Sequence, residues 1–139
     1  MLSFKDKREI SEAIRRAESR TRGEIRVHLK KKCRGEVMDE AKKIFLKLGM
    51  HRTRHRSAVL IFIALDPRRF AILGDSGIHE KTGASFWSET RDRMTAHFLN
   101  GRIKAGILTG IESAGHKLRE HFPCEADDKD ELSNRVTGS

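Results

Sequence analysis

The stretch FAILGDSGIHE, residues 70–80, places Asp75 in a glycine-flanked corner directly after an apolar, strand-like run. A carboxylate in such a corner has the chemistry of a ligand for a hard divalent cation or of a group that handles phosphate. The same Gly-Asp-Ser-Gly letters surround the nucleophile of chymotrypsin-like proteases. A turn that uses Asp and Gly for backbone reasons alone is the third interpretation.

The protease interpretation fails on the neighbouring residues and on the overall pattern. Ile78 follows Gly77, where the protease motif continues with glycine and proline. The sequence is rich in helical periodicity, which contradicts a double β-barrel. A catalytic triad is recognised by its geometry, and nothing in the sequence places a histidine beside Ser76. The metal, phosphate and turn interpretations remain open.

The elements that must position Asp75 follow from the spacing of the apolar residues. Alternation and continuous apolar runs predict three strands, and apolar residues three and four apart predict four helices. The order is helix, strand, helix, strand, strand, helix, helix, which is typical of an α/β sandwich. The helices cover 4–20, 36–48, a segment from near Thr82 to Phe98, and 102–121, and the strands cover 24–32, 57–65 and 70–73.

The strand directions predict which residues meet. A strand, a helix and another strand normally form a parallel pair, and a short turn makes the third strand antiparallel. Glu24, Ser57 and Asp75 then lie at one end of the sheet, and the third helix begins there near Thr82. Two carboxylates could bind Ca²⁺ or Mg²⁺, or a phosphate could bind with Arg54 or Arg56 as its charge partner.

The charge is concentrated in the first half of the chain. Residues 1–60 carry 18 Lys/Arg against 8 Asp/Glu, and residues 122–139 carry 2 against 5. A basic front half can attract nucleic acid, anionic lipid headgroups or an acidic protein, or serve as a solvated surface. Tyrosine is absent and there is one tryptophan, so the stacking aromatics of single-strand binders are missing. Nucleic acid therefore ranks last among the partners.

Length and composition predict one α/β domain at 1–123 followed by an acidic, flexible tail at 124–139. Hydrophobic residues make up 37% of the 139 residues, and no apolar run approaches the ~20 residues of a membrane helix. The N-terminus lacks the apolar stretch of a secretory signal, so we expect a cytoplasmic protein. Cys33 and Cys124 match no metal-ligand spacing and are expected to be free thiols.

Several strings, taken in their order and spacing across residues 4–123, resemble the TPM domain family. They are TRGEIRVHL, the pair LGMHRTRHR and VLIFIA, FAILGDSGI, Phe86-Trp87 and GILTGIESAGHKLREHFP. The chain looks like the short, stand-alone form, without the membrane helix or glycine-rich tail of longer relatives. The resemblance implies a three-layer α/β/α sandwich around a small mixed sheet.

The resemblance also implies candidate functions. Family members include a thylakoid protein linked to photosystem II repair and described as an acid phosphatase, and an accessory protein of acetylcholine receptors. Calcium or other divalent-metal binding at the acidic loops recurs in the family, and Glu24 and Asp75 are the matching acidic positions here. Where relatives commonly have Asn after the basic loop, this chain has Ser57, which removes one amide carbonyl as a ligand.

We therefore carry two main hypotheses. The first is a divalent-metal-binding interaction module that holds Ca²⁺ or Mg²⁺ through Asp75 and Glu24. Its partner would be a protein, such as a membrane protein or a membrane-associated complex, that meets the basic residues Lys30–Lys32. The second is a weak metal-dependent acid phosphatase that acts on phosphomonoesters, with Asp75 as ligand or nucleophile and Arg56 as the phosphate contact.

Overall fold

The structure, a computed structural model, describes residues 2–83 and 85–124. The predicted acidic tail therefore lies, apart from Cys124, outside the described residues. Within the described ranges no helix has the length and apolarity needed to cross a bilayer. The elements are α1 Phe4–Glu18, β1 Glu24–Lys32, α2 Val37–Lys47, a 3-10 turn Met50–Arg52, β2 Ala58–Asp66, β3 Arg68–Gly74, α3 Ser76–Thr82, α4 Ser88–Leu99 and α5 Ile103–His121.

The three strands form one mixed sheet in the order β1-β2-β3. β1 is parallel to β2, and β2 is antiparallel to β3, as the connections predicted. In the register, Glu24 is paired with Ala58, and Gly74 is paired with Val59. The start of β1, the start of β2 and the end of β3 consequently share one end of the sheet.

One compact unit of the chain, Glu24–Phe86, contains this sheet together with α2 and α3. The central strand β2 is buried from Ala58 to Ala64, which confirms the predicted strand covered on both faces. Alternate β2 residues turn towards α2 and form an apolar core with it. That core contains Cys33, Ala41, Ile44, Phe45, Met50, Ala58, Leu60, Phe62, Ala64 and Ala71.

The other unit combines the described N-terminal residues to Gly23 with those from Trp87 onward. Its helix α1 begins with a capping box: the Asp6 amide donates to Ser3 Oγ, and the Ser3 amide donates to the Asp6 carboxylate. α1 packs on α5 where Gly115 lies against Ala17. A Cβ atom built at Gly115 would lie 2.7 Å from the Ala17 Cβ, so the glycine permits the close approach of the two helices.

Two local predictions need correction. The segment after Asp75 was predicted to reach its next helix near Thr82, but α3 begins at Ser76 and α4 at Ser88. α3 is only seven residues long, too short to show a full apolar stripe, and its Gly77 has a low helix propensity. The hairpin turn is also tighter than predicted, because β3 already begins at Arg68.

The predicted α/β class, with helices packed on a small mixed sheet, is confirmed. Neither Cys33 nor Cys124 forms a disulfide bond within the described residues. Asp75 lies between the end of β3 and the short helix α3, next to the start of β2, and β1 begins at the same end of the sheet.

Candidate functional site

Asp75 occupies the junction between β3 and α3. Its backbone is extended, with φ −68° and ψ 171°, and its amide donates to the Ala58 carbonyl oxygen at 2.9 Å. One carboxylate oxygen, Oδ1, accepts from the Ser76 amide at 2.7 Å. Asp75 therefore extends the β2–β3 pairing by one residue and caps the first turn of α3, which is the backbone role that the turn interpretation predicted.

The same carboxylate forms a bidentate ion pair with Arg56. Arg56 Nε donates to Oδ2 at 2.8 Å, and Nη2 donates to Oδ1 at 2.9 Å. The Asp75 side chain is 4% exposed, whereas the Arg56 side chain is 49% exposed. The hydrogen bond and the charge of Asp75 raise the pKa of the Arg56 guanidinium above its ordinary value. The buried acid is thus neutralised by a base that reaches solvent.

The backbone of Arg56 is held in an uncommon conformation. Its φ is 51°, in the left-handed region that a non-glycine residue rarely adopts. The Gly77 amide donates to the Arg56 carbonyl oxygen at 2.9 Å. A Cβ atom at position 77 would lie 2.4 Å from the His55 carbonyl oxygen and 2.6 Å from that of Arg56. Gly77 is therefore the residue that lets the 53–57 loop close over the start of α3.

This role of Gly77 is not visible in the local sequence. The glycine in Gly-Asp-Ser-Gly predicts only a turn, because close approach to a second backbone leaves no local pattern. From the sequence, Arg56 and Asp75 were expected to face a common ligand. In the structure they bind each other.

Glu24, the second predicted carboxylate, lies at the same end of the sheet. Paired residues on neighbouring strands point to the same face, and Glu24 is opposite Ala58. Asp75 follows Gly74 on the other side of β2 and bonds to the same Ala58. The main chains of Glu24 and Asp75 are thus separated by two strand spacings, about 10 Å. Ala58, with only a methyl group, stands between them.

The carboxylate oxygens of Glu24 and Asp75 are the type of ligand atom that a hard divalent cation takes. Two carboxylates on either side of a small residue supply oxygen ligands, and main-chain carbonyls or water complete such sites. Among residues 2–83 and 85–124, however, no group of three or more His, Cys, Asp or Glu side chains is placed to hold a metal. The Arg56 guanidinium also competes for the same Asp75 oxygens. A cation therefore has to bind against the charge of Arg56.

Ser57 lies near this site, immediately before β2. It is 1% exposed, and its Oγ has no hydrogen-bond partner. Its amide donates to Thr53 Oγ1 at 3.3 Å. The lysines at the far end of β1, Lys30–Lys32, are all exposed, and Lys30 pairs with Glu40 of α2 at 2.7 Å. Of the lysines proposed for partner binding, Lys30 is thus already engaged.

Comparison with known proteins identifies a family and similar solved structures. The family model described as the TPM domain matches residues 1–117. The NMR structure of the BA42 protein from the psychrophilic bacterium Bizionia argentinensis is 40% identical, with a TM-score of 0.86 over 92% of this chain and 88% of that one. No curated protein matches.

A more distant structure supports the fold alone. The solution NMR structure of an N-terminal domain from P. gingivalis is 20% identical, with a TM-score of 0.72 over 87% of this chain and 78% of that chain. This chain and the P. gingivalis domain thus share the arrangement of elements described above, although only 20% of their residues are identical.

Proposed function

The chain belongs to the TPM domain family, and from that premise we propose that it is a divalent-cation-binding interaction module with Asp75 and Glu24 as its carboxylate ligands. The observation that carries the proposal is the placement of these two acids at one end of the sheet, on either side of Ala58. Their oxygens are the ligand type that Ca²⁺ and Mg²⁺ take.

Arg56 provides the positive charge that faces the Asp75 carboxylate. Its guanidinium holds the Asp75 carboxylate through two hydrogen bonds, so the buried charge is never left unpaired. A bound cation would supply the positive charge that Arg56 supplies now. Removing the positive charge at position 56 should therefore strengthen cation binding, whereas removing either carboxylate should weaken it.

The test is an amide-resolved NMR titration of metal-stripped protein with Ca²⁺ and with Mg²⁺. We expect saturable shifts at residues 74–78 and at Glu24, their loss in Asp75→Asn, and tighter binding in Arg56→Gln. Asp39→Asn removes an exposed carboxylate on α2 and is the matched control for weak, non-specific binding. Binding unchanged in Asp75→Asn, or no saturable shift at millimolar metal, contradicts the proposal.

Weak phosphomonoester hydrolysis is a second candidate, favoured by the exposure of Arg56. A guanidinium has five N–H donors, and Asp75 takes two of them. The others remain for a phosphate, on an arginine whose orientation Asp75 fixes. The deep burial of the Asp75 carboxylate favours this positioning role over the role of nucleophile, because a nucleophile has to reach the phosphorus atom.

The phosphatase candidate is tested with a chromogenic phosphomonoester at acidic pH, with and without divalent metal. Activity that falls in both Arg56→Gln and Asp75→Asn supports a site at this pair. Hydrolysis that persists unchanged in both variants belongs to a contaminant or to another site.

The interaction partner is proposed to be a protein, either a membrane protein or a member of a membrane-associated complex. Lys30, Lys31 and Lys32 are all exposed at the end of β1, and Lys30 is paired with Glu40. Charge reversal of Lys31 and Lys32 should weaken capture of an acidic partner and should leave cation binding at the other end of the sheet unchanged. A partner that stays fully bound overturns this surface.

A further inference from the structure

The C-terminal half of α2 presents lysines and a leucine on one exposed arc. Its exposed residues there are Lys42, Lys43, Leu46 and Lys47, and Leu46 is 59% exposed. At about 100° per residue these four positions span about 140° of the helix circumference, and Leu46 falls between Lys42 and Lys43. The buried face of the same helix is formed by Ala41, Ile44 and Phe45, so Leu46 does not belong to the core.

We call this exposed arc the α2 patch, and it consists of Lys42, Lys43, Leu46 and Lys47. Leu48, at the C-cap, is 37% exposed, but it follows the buried Ile44 by four positions and therefore belongs to the opposite side of the helix.

The charge of the α2 patch is not balanced locally. Residues 41–65 contain six Lys/Arg and no Asp or Glu. The acids of α2, Asp39 and Glu40, belong to its first turn, and Glu40 is already paired with Lys30. The patch thus combines a local excess of positive charge with one large apolar side chain in contact with solvent.

We propose that the α2 patch binds an anionic lipid surface, with Leu46 entering the boundary between headgroups and acyl chains. Cations within a Debye length of an acidic membrane are attracted to it, and each contributes separately. The lysine stems can lie along the apolar layer while their ammonium groups stay among the headgroups. Charge and apolar contact are the two signals that peripheral membrane binding needs.

A lipid surface suits the α2 patch better than a protein partner does. The apolar part consists of one leucine bordered by lysines, which is too small an area for a stable protein interface. A fluid lipid layer needs no pocket shaped for these side chains. This proposal concerns a different surface from the cation site and does not depend on the proposed function.

The experiment measures binding to vesicles in the presence of a chelator, so that divalent metal plays no part. Vesicles of phosphatidylcholine alone are compared with vesicles in which part of that lipid is replaced by phosphatidylserine. We expect binding to the phosphatidylserine vesicles only, weakened by salt. The double variant Lys43→Glu/Lys47→Glu should bind about 30-fold more weakly. The double variant Lys5→Glu/Lys7→Glu, with the same charge change on α1, is the control.

Because the whole protein carries a net charge of +9, a readout specific to position 46 is needed. Leu46→Trp places an indole in the α2 patch, and Leu99→Trp places one on α4 at a residue that is 82% exposed. The native Trp87 is buried and gives a constant background. On phosphatidylserine vesicles the emission should shift to the blue for Leu46→Trp and stay unchanged for Leu99→Trp.

Three outcomes would overturn the proposal. They are equal binding to both kinds of vesicle, equal weakening by the two charge-reversal variants, and the absence of a blue shift for Leu46→Trp. Each substituted residue is exposed, so the fold should be retained, and the amide spectrum of each variant verifies this.

Discussion

Asp75 and Arg56 form a bidentate ion pair in which the acid is buried and the base is half-exposed. The pair joins the end of β3 to the loop before β2, two segments that are 19 residues apart in sequence. Asp75 also accepts from the Ser76 amide, so one carboxylate connects the loop, the sheet and α3. Loss of either partner should therefore affect more than a single contact.

The two members of this pair should behave as one unit in stability measurements. We expect Asp75→Asn and Arg56→Gln each to lower the urea midpoint, and the double variant to be destabilised by less than the sum of the two. Arg54→Gln, a change at an exposed neighbouring arginine, is the control and should leave the midpoint unchanged. Strict additivity of the two substitutions would contradict the coupling.

Gly77→Ala should be destabilising because the new methyl group would meet backbone atoms. Carbonyl oxygens of residues 55 and 56 lie within 2.6 Å of its Cβ position, so the loop has to move. We expect a loss of about 1–3 kcal/mol in the free energy of unfolding, measured by urea denaturation. Gly35→Ala is the control, since its Cβ would meet nothing within 4 Å. An equal effect of the two variants would refute the close approach.

Gly115→Ala tests the packing of α1 on α5. The added methyl group would lie 2.7 Å from the Ala17 Cβ, and overpacking of this kind typically costs about 1–3 kcal/mol. Ala17→Gly removes the opposing methyl group and should restore part of the loss when the two substitutions are combined. This rescue is tested by comparing the free energies of unfolding of Gly115→Ala, Ala17→Gly and the double variant. A double variant no more stable than Gly115→Ala would show that backbone contacts dominate.

His28 should make stability depend on pH. Its ring stacks on Phe62 with centroids 6.0 Å apart. Burial lowers the pKa of His28 from its ordinary value of 6.5, and the positive charges of Lys30, Lys47 and Arg26 lower it further, while Glu40 opposes them. Between the unfolded pKa and the lower folded pKa, the unfolded chain binds more protons. The free energy of unfolding should therefore fall as the pH falls from about 6.5 through the folded pKa.

This pH dependence is measured by urea denaturation from about pH 6.5 down through the folded pKa of His28, and by NMR titration of the His28 ring protons. The slope should be smaller in His28→Gln, which cannot titrate, whereas His116→Gln serves as the matched control. His116 is exposed and pairs with Glu120 within one helix. A His28 pKa at or above 6.5 would contradict the prediction.

The sequence alone was sufficient for most elements of the fold. A continuous apolar run rich in β-branched residues identified β2 as the central strand, and alternation identified β1, because these patterns directly reflect which faces are buried. The connection lengths then determined the parallel and antiparallel pairs. That placed Glu24 and Asp75 at one end of the sheet.

Only the tertiary structure determined which side chains pair with each other at that end of the sheet. The pairing of Arg56 with Asp75 depends on a left-handed residue in a loop and on its meeting a side chain 19 positions away, neither of which leaves a periodic signal. The short helix α3 and the contact of Gly77 with the 53–57 loop are hidden for the same reason. Local patterns record burial, whereas side-chain partners between distant segments are set by how those segments pack.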